Sequence, residues 1–261
     1  MLSKNYAKFI ISLQKKKVRD EEHLYVIEGD KLVKEYLMSG IRVKTLIAKP
    51  EFINSLSADL IKNSDEIEKA EYDDLKRIST LKTPHNAIAL VRIPEIKPNQ
   101  TVIENSLFAA LDCIQDPGNL GTIIRSAAWF GIKNIYCSAD CVDLYNSKVI
   151  QASMGAILHV NVFYTDIREL LILSSENALP VFGTMLEGES IYSHKLGNKG
   201  VILLGNESKG ISDELIPFIT DKLMIPGVGK RLPGIESLNV SMAASVVFSE
   251  FHRRSDSLTH K

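Results

Sequence analysis

Leu107-Phe108-Ala109-Ala110-Leu111-Asp112-Cys113-Ile114 runs into Gln115-Asp116-Pro117-Gly118-Asn119-Leu120-Gly121-Thr122-Ile123-Ile124-Arg125-Ser126-Ala127-Ala128-Trp129-Phe130-Gly131. The first eight residues are an apolar run of the kind that forms a strand covered on both faces, placed over Leu107–Ile114. A turn of Asp, Pro and Gly follows. Asn119 is suited to N-cap a helix whose Leu120, Ile123, Ile124, Ala127 and Ala128 share one core-facing stripe, and Gly131 closes it. Strand, tight turn and amphipathic helix make one βα unit. Arg125 stands off the apolar stripe one turn after Gly121, so its side chain, leaning toward the helix N-terminus, can pass over the bare glycine toward the strand end as an anion or ribose contact.

Outward from this unit the pattern repeats. Apolar strands are expected at Asn134–Ser138, Val160–Phe163, Val181–Thr184, Val201–Leu204 and Lys222–Ile225, with a closing helix from Leu238 to Arg253. Such a series is an α/β parallel sheet wrapped on both faces, and its ligands sit beyond the carboxyl ends of the strands. Two further loops there carry chemistry. Val201-Ile202-Leu203-Leu204 enters Gly205-Asn206-Glu207-Ser208-Lys209-Gly210, where a glycine permits close backbone approach and Asn and Glu offer polar groups. The other loop runs through Gly227, Gly229, Lys230, Arg231 and Gly234 into Glu236-Ser237-Leu238-Asn239, opening a helix with Val240, Ala243, Ala244, Val247 and Phe248 as its packed stripe. Neither a GxxxxGK[ST] phosphate loop nor a GxGxxG dinucleotide turn is present.

The first hundred residues read as a smaller α/β unit. Helices are expected at 4–17, Asp30–Ser39, 51–62 and 72–78, and strands at Tyr25–Ile27, Val43–Ala48 and Ala87–Val91, in a mostly parallel, covered sheet. Pro94 and Pro98 mark a seam. Domains are therefore assigned to 1–95 and 106–261, with a linker over 96–105.

These loops resemble the SpoU, or TrmH-like, branch of the SPOUT RNA methyltransferases over about 107–253. The family's N-x-G-x-x-x-R stands as Asn119, Gly121 and Arg125, its G-N-E as Gly205-Asn206-Glu207 and its E-S-L-N-V-S as Glu236–Ser241; Lys148–Ala156 is similar to a fourth block, with Gln151 where many relatives carry a basic residue. The first domain resembles, more weakly, the family's small RNA substrate-binding domain of ribosomal-protein type, through Glu28-Gly29 and the helix after it.

The resemblance implies a C-terminal deep trefoil knot, a homodimer and methyl transfer from S-adenosylmethionine to a ribose 2′-hydroxyl of structured RNA, with ribosomal RNA favoured over transfer RNA. It places Asn119, Arg125, Glu207, Ser237 and Asn239 in the reaction site. Thr184, Leu204, Gly205, Asn206, Ile225 and Leu238 fall around the cofactor. The Gly227–Ile235 loop is longer than in short-loop members, and its Lys230 and Arg231 are assigned to RNA.

Charge bounds the partner. The chain of 261 residues has a formal net charge of −1, which excludes a uniformly basic protein coating phosphates. Residues 1–100 nevertheless hold 18 Lys/Arg against 15 Asp/Glu, and 101–261 hold 13 against 17. Residues 1–19 carry six cations and no acid, which assigns Lys15, Lys16, Lys17 and Arg19 to RNA as an alternative to a solvated helix end. Cys113, Cys137 and Cys141 form no CxxC pair, so neither a metal site nor a disulfide framework is expected. The start of the chain lacks a signal-peptide core and no stretch is long and apolar enough for a membrane span, giving a cytoplasmic expectation. Two rival readings stay open: a catalytically silent RNA-binding or ribosome-assembly protein that keeps the knot, and a general nucleotide-binding α/β enzyme.

Overall fold

The computed structural model describes residues 2–98, 105–227 and 237–259. Its contacts divide into two compact units. One holds the chain up to Glu95 together with Tyr145–Leu158, and the other holds Ile96–Leu144 and the chain from His159 onward.

The first unit begins with helices α1 (Lys4–Ser12) and α2 (Lys16–Glu22), where the sequence suggested one helix over 4–17. The break is made by Arg19. Its side chain is 3% exposed and donates to the carbonyls of Leu13 (2.9 Å) and Gln14 (2.8 Å), which a continuous helix would have engaged internally. Strand β1 (Leu24–Glu28), α3 (Asp30–Met38), β2 (Val43–Ala48), α4 (Pro50–Asn54) and α5 (Ala58–Ile61) follow. Then come β3 (Ser64–Lys69), α6 (Tyr72–Ile78) and β4 (Ala87–Arg92). Ser57 caps α5 by accepting the Leu60 N–H, splitting the helix expected over 51–62.

The strand order is β1-β4-β2-β3, with β4 antiparallel to both neighbours and only β2 and β3 parallel. This corrects the mostly parallel expectation. Ala87–Val91 is buried on both faces because helices cover both sides of the sheet, and an inner antiparallel strand then has the same apolar run as a parallel one. Ile10, Leu13, Leu75 and Ile78 pack on one face. On the other face Val33, Tyr36, Leu37 and Phe52 meet Ile150 from helix α8 (Ser147–Ser153). Each fully buried aliphatic side chain here contributes about 1.5–3 kcal/mol.

The second unit contains β5 (Leu107–Leu111), α7 (Pro117–Trp129), β6 (Asn134–Cys137), β7 (Asn161–Tyr164) and α9 (Ile167–Glu176). It continues with β8 (Val181–Ser190), β9 (Gly200–Leu204), β10 (Asp221–Met224) and α10 (Val240–Thr259). The six strands lie in the order β10-β8-β9-β5-β6-β7 with every described pairing parallel, as the βα repeat requires. One core joins Phe108, Tyr136, Phe163, Leu171 and Leu203. Helices α7 and α10 pack together and bury Ile123, Ile124, Ala127, Ala244, Val247 and Phe248.

Three details differ from the sequence reading. Strand β5 stops at Leu111 because Cys113 turns into the left-handed region at φ 57°. Asp116, not Asn119, N-caps α7, its carboxylate accepting the Asn119 N–H at 2.8 Å, so that Asn119 lies in the first turn with its side chain available for other work. Strand β8 extends six residues beyond Thr184, with a register shift against β10 between Lys222 and Leu223.

Candidate active site

The carboxyl ends of β5 and β9 are tied together before any reactive group is placed. The buried Asp112 donates its N–H to the Leu204 carbonyl at 2.8 Å and accepts the Ser212 N–H on Oδ2 at 2.7 Å. Cys113 donates its N–H to Ser138 Oγ at 2.9 Å, and its carbonyl accepts Asn206 Nδ2 at 2.8 Å. Asn206 Oδ1 then takes the N–H groups of Ser208 (3.0 Å) and Lys209 (3.1 Å), while its own N–H and C=O exchange bonds with Gly210 at 2.9 Å each. Loop 205–210 is thus a closed turn bolted to Cys113.

This corrects the expected role of Asn206 and gives Gly205 a second reason to be glycine. A Cβ on Gly205 would lie 2.2 Å from Gly210 C and 2.3 Å from Ile211 N, so the glycine makes room for the chain's own backbone. Asn206, expected among the cofactor contacts, has its side-chain carbonyl and both backbone polar groups engaged in the turn. It positions the loop instead.

On that scaffold three polar side chains from distant parts of the sequence line up. Asn119 Nδ2 donates to Glu207 Oε1 at 2.8 Å, and Asn239 Nδ2 donates to Asn119 Oδ1 at 3.0 Å. Asn239 Oδ1 in turn accepts Ser241 N–H at 2.9 Å and Ser241 Oγ–H at 2.6 Å, capping the start of α10. Each amide is held by both ends, which fixes its orientation, and the Glu207 carboxylate takes a charge-assisted bond. Helices α7 and α10 run side by side in the same direction: Asn119 meets Asn239, Ser126 Oγ meets Ser245 Oγ at 2.6 Å, and the Phe130 and His252 rings lie 6.1 Å apart.

The remaining expected residues fall as follows. Arg125 is exposed on α7, nearly two turns beyond Asn119. Ser237 and Leu238 are exposed just before α10. Thr184 Oγ donates to the Leu203 carbonyl at 3.1 Å, beside Leu204. Ile225 is half-buried directly after β10. Lys15, Lys16 and Lys17 are exposed in the first unit, but Arg19 is buried and donates to two carbonyls, so it is no phosphate contact. Lys230 and Arg231 lie outside the described residues. Among the described residues no group of three or more His, Cys, Asp or Glu could hold a metal ion, and no helix is long and apolar enough to cross a membrane. Sequence reading missed Asp112, Cys113 and Ser138 as the fasteners of the site; the one local signal was a lone acid ending an apolar strand.

Residues 106–249, more than half of the chain, match the model of the SpoU rRNA Methylase family. The chain belongs to the SpoU rRNA methylase family. Residues 4–89 of this SpoU protein match the MRM3-like substrate binding domain. Among solved structures, a TrmH-family protein from Porphyromonas gingivalis shares 37% identity at a TM-score of 0.86, covering 97% of this chain and 99% of its own. An S-adenosylmethionine-bound rRNA methyltransferase from Sinorhizobium meliloti shares 25% identity at a TM-score of 0.84, covering 97% and 96%. The 23S rRNA (guanosine(2553)-2′-O)-methyltransferase RlmP of Bacillus subtilis is 27% identical over 90% of this chain and 91% of its own. The SpoU match spans Asn119, Glu207 and Asn239 together.

Proposed function

We propose that this chain transfers a methyl group from S-adenosylmethionine to a ribose 2′-hydroxyl of ribosomal RNA. The observation that carries the reading is the Glu207–Asn119–Asn239 chain at the carboxyl edge of the parallel sheet, within the stretch shared with SpoU rRNA methylases. The Bacillus relative's 23S target and the substrate-binding match of residues 4–89 favour ribosomal over transfer RNA.

The residues present fit the cofactor. Leu204 and Gly205 fall at the carboxyl end of β9, Thr184 of the neighbouring β8 lies level with that end, and Ile225 directly follows β10, the position for a ligand in such sheets. Leu238, just before α10, leaves 51% of its surface exposed, apolar area suited to an adenosyl group. Thr184 spends its proton on Leu203 and keeps an oxygen able to accept. When bound, S-adenosylmethionine supplies an electrophilic methyl carbon on a sulfonium.

The chain's own groups then have separate tasks. Asn119, fixed between Glu207 and Asn239, orients the incoming ribose. Arg125 cannot act as a base, because a guanidinium keeps its proton. Its planar fork of donors stabilises the oxyanion developing at the 2′-oxygen and the neighbouring phosphate. Ser237 borders the same site, and Lys15, Lys16 and Lys17 hold RNA phosphates, as do Lys230 and Arg231.

The reading includes a homodimer. Trp129 on α7 and Met242 on α10 are 82% and 58% exposed, large apolar side chains that a second copy would cover. It also includes the trefoil knot, supported by the return of α10 from edge strand β10 to lie beside α7, and a cytoplasmic location, supported by three free cysteines.

The test is incubation with labelled S-adenosylmethionine and unmodified ribosomal or transfer RNA, followed by alkaline hydrolysis. Label in an alkali-resistant dinucleotide from ribosomal RNA is the expected result. Stabilisation by S-adenosylhomocysteine with no label in either RNA would establish the silent binder instead.

A further inference from the structure

Strands β8 and β10 are out of step at one place. Lys222 is paired with Gly183, but the next residue, Leu223, is paired with Glu189, so the pairing skips residues 184–188 of β8. This bulge presses back on β10, since a Cβ on Gly188 would lie 2.4 Å from the Lys222 carbonyl oxygen. The bulge opens with Thr184, and β10 ends one residue before Ile225. Both are residues that the methyl-transfer reading gives to the cofactor.

One imidazole spans the skipped stretch. After β8 the Ile191 N–H donates to the Met224 carbonyl at 2.9 Å, and the Ser190 carbonyl accepts the N–H groups of Ser193 and His194 at 3.0 Å each. This turn sets the His194 ring edge-on to Phe182, centroids 6.2 Å apart, with 15% of the side chain exposed. His194 Nδ1 lies 2.8 Å from Glu189 Oε2, and Nε2 lies 3.0 Å from Asp221 Oδ1. Asp221 pairs with Phe182 before the bulge and Glu189 with Leu223 after it, so the two contacts join the bulge's two sides. Asp221 Oδ2 accepts the Thr220 hydroxyl at 2.5 Å. From α10, Phe251 packs on Phe182 at 5.0 Å, and Arg254, held by Glu250, donates to the Tyr192 carbonyl. Lys195 and Lys222, next to His194 and Asp221 in the sequence, are exposed.

An ionised carboxylate only accepts hydrogen bonds, and a neutral imidazole has one N–H and one lone pair. With carboxylates at both ring nitrogens, a neutral ring satisfies one and turns its lone pair on the other. A protonated ring donates to both, through two charge-assisted bonds. We propose that His194 is a positioning residue for cofactor binding: its protonated ring ties Glu189 to Asp221 across the 184–188 bulge, and loss of one ring proton releases one tie and loosens the cofactor side of β8 and β10.

The direction follows from the donors. Both ties hold while the ring carries two protons, and one is lost as pH rises and the ring gives up a proton. Cofactor affinity therefore falls with rising pH, by about fivefold, the worth of one hydrogen bond that solvent can reach. The inference rests on the methyl-transfer reading for what the bulge holds, but the clamp itself is read without cofactor or RNA.

The experiment takes the full-length protein between about pH 5 and 8, where an imidazole changes charge. Nitrogen-15 NMR follows the His194 ring, assigned by its absence from His194→Gln, together with the Leu186 and Gly188 amides. The expected result is one shared titration of ring and amides, which is missing from His194→Gln. Calorimetry with S-adenosylhomocysteine should give wild type the stated fall in affinity, and His194→Gln the weaker value throughout. Glu189→Gln offers the ring an amide that either accepts or donates, so it should keep the tighter value across the range. Bulge amides that ignore the ring's titration would overturn the clamp. A shared titration with the same affinity profile in wild type and His194→Gln would overturn the link to the cofactor. No S-adenosylhomocysteine binding at any pH would sink the methyl-transfer reading and that link together, while the NMR titration still decides the clamp.

Discussion

Replacing Asn119 by aspartate keeps the side chain's size and the acceptor that Asn239 uses, but turns the donor facing Glu207 into a second carboxylate. The lost bond is 2.8 Å long and made to a charged group, worth about 1.5–3 kcal/mol. Two unit charges at 2.8 Å repel by roughly 1.5 kcal/mol in water and about 6 kcal/mol at an effective dielectric of 20. Both residues are half-buried, so rotation apart and solvent hold the repulsion toward its lower end. Asn119→Asp should therefore cost about 3 kcal/mol at neutral pH, or roughly 6–12 °C in the Tm of the methyltransferase unit. The like-charged pair raises one folded-state carboxyl pKa above its unfolded value. The native state then binds more protons, and stability is recovered as pH falls through that raised pKa and lost as pH rises through it. Asn119→Ala loses the same bond without adding charge and should show no such recovery relative to wild type. Melting curves for the three proteins between neutral and mildly acidic pH decide it. Equal pH dependence of Asn119→Asp and Asn119→Ala would refute the contact between Asn119 and Glu207.

Arg125→Ala should abolish methylation while titration calorimetry finds S-adenosylhomocysteine affinity nearly unchanged, and Arg125→Lys should fail too because the planar fork is lost; a parallel fall in cofactor affinity contradicts the assigned role. Arg19→Ala should destabilise the first unit by about 2–4 kcal/mol, since it strips one buried and one partly buried carbonyl of a partner. Changing Lys15, Lys16 and Lys17 together to Ala should leave stability intact and reduce the log–log salt slope of RNA binding by about 2, at roughly 0.7 per phosphate. Filter binding across a salt series, paired with thermal melts, separates these two outcomes. Gly205→Ala should cost about 3 kcal/mol through collision with the Gly210 backbone, read as a lower Tm and weaker S-adenosylhomocysteine binding; a neutral result would mean the 205–210 turn is looser than the structure has it.

What could be read in the sequence followed local periodicity. The parallel order of the second unit comes from apolar strands alternating with striped helices, and its strands lie where those runs lie. Strand β3 escaped notice because five of its six residues face solvent at the sheet edge, so Ser64–Lys69 carries no alternating apolar signal. The antiparallel setting of β4 was hidden for the opposite reason, since burial on both faces erases alternation. Within the site, the motifs drew attention to Asn119, Glu207 and Asn239, but not to the bonds joining them across 88 and 120 residues. The exchange of capping roles between Asp116 and Asn119 shows the limit of local rules. Both residue types cap well, and the choice was made by Glu207, a partner remote in the sequence that needed the Asn119 amide. Arg19 was misread because six cations without an acid suggest a solvated surface, whereas its burial depends on where Leu13 and Gln14 leave their carbonyls.

The chain enters the second unit at Ile96, leaves it at Tyr145 and re-enters it at His159. In the interval it stacks Tyr145 on Tyr25 at 4.4 Å, puts Ile150 into the first unit's core, and donates from Gln151 to the buried Glu28 at 3.3 Å. The two halves of this protein therefore cannot be parted by one cut. A truncation that begins at Ile96 would carry away a piece of its neighbour's interior, with Ile150 stripped of its packing, and the remnant ending at Glu95 would fold around a missing helix. Deletion studies that assign RNA binding to the front of the chain and methyl transfer to the back would measure the injury as well as the assignment.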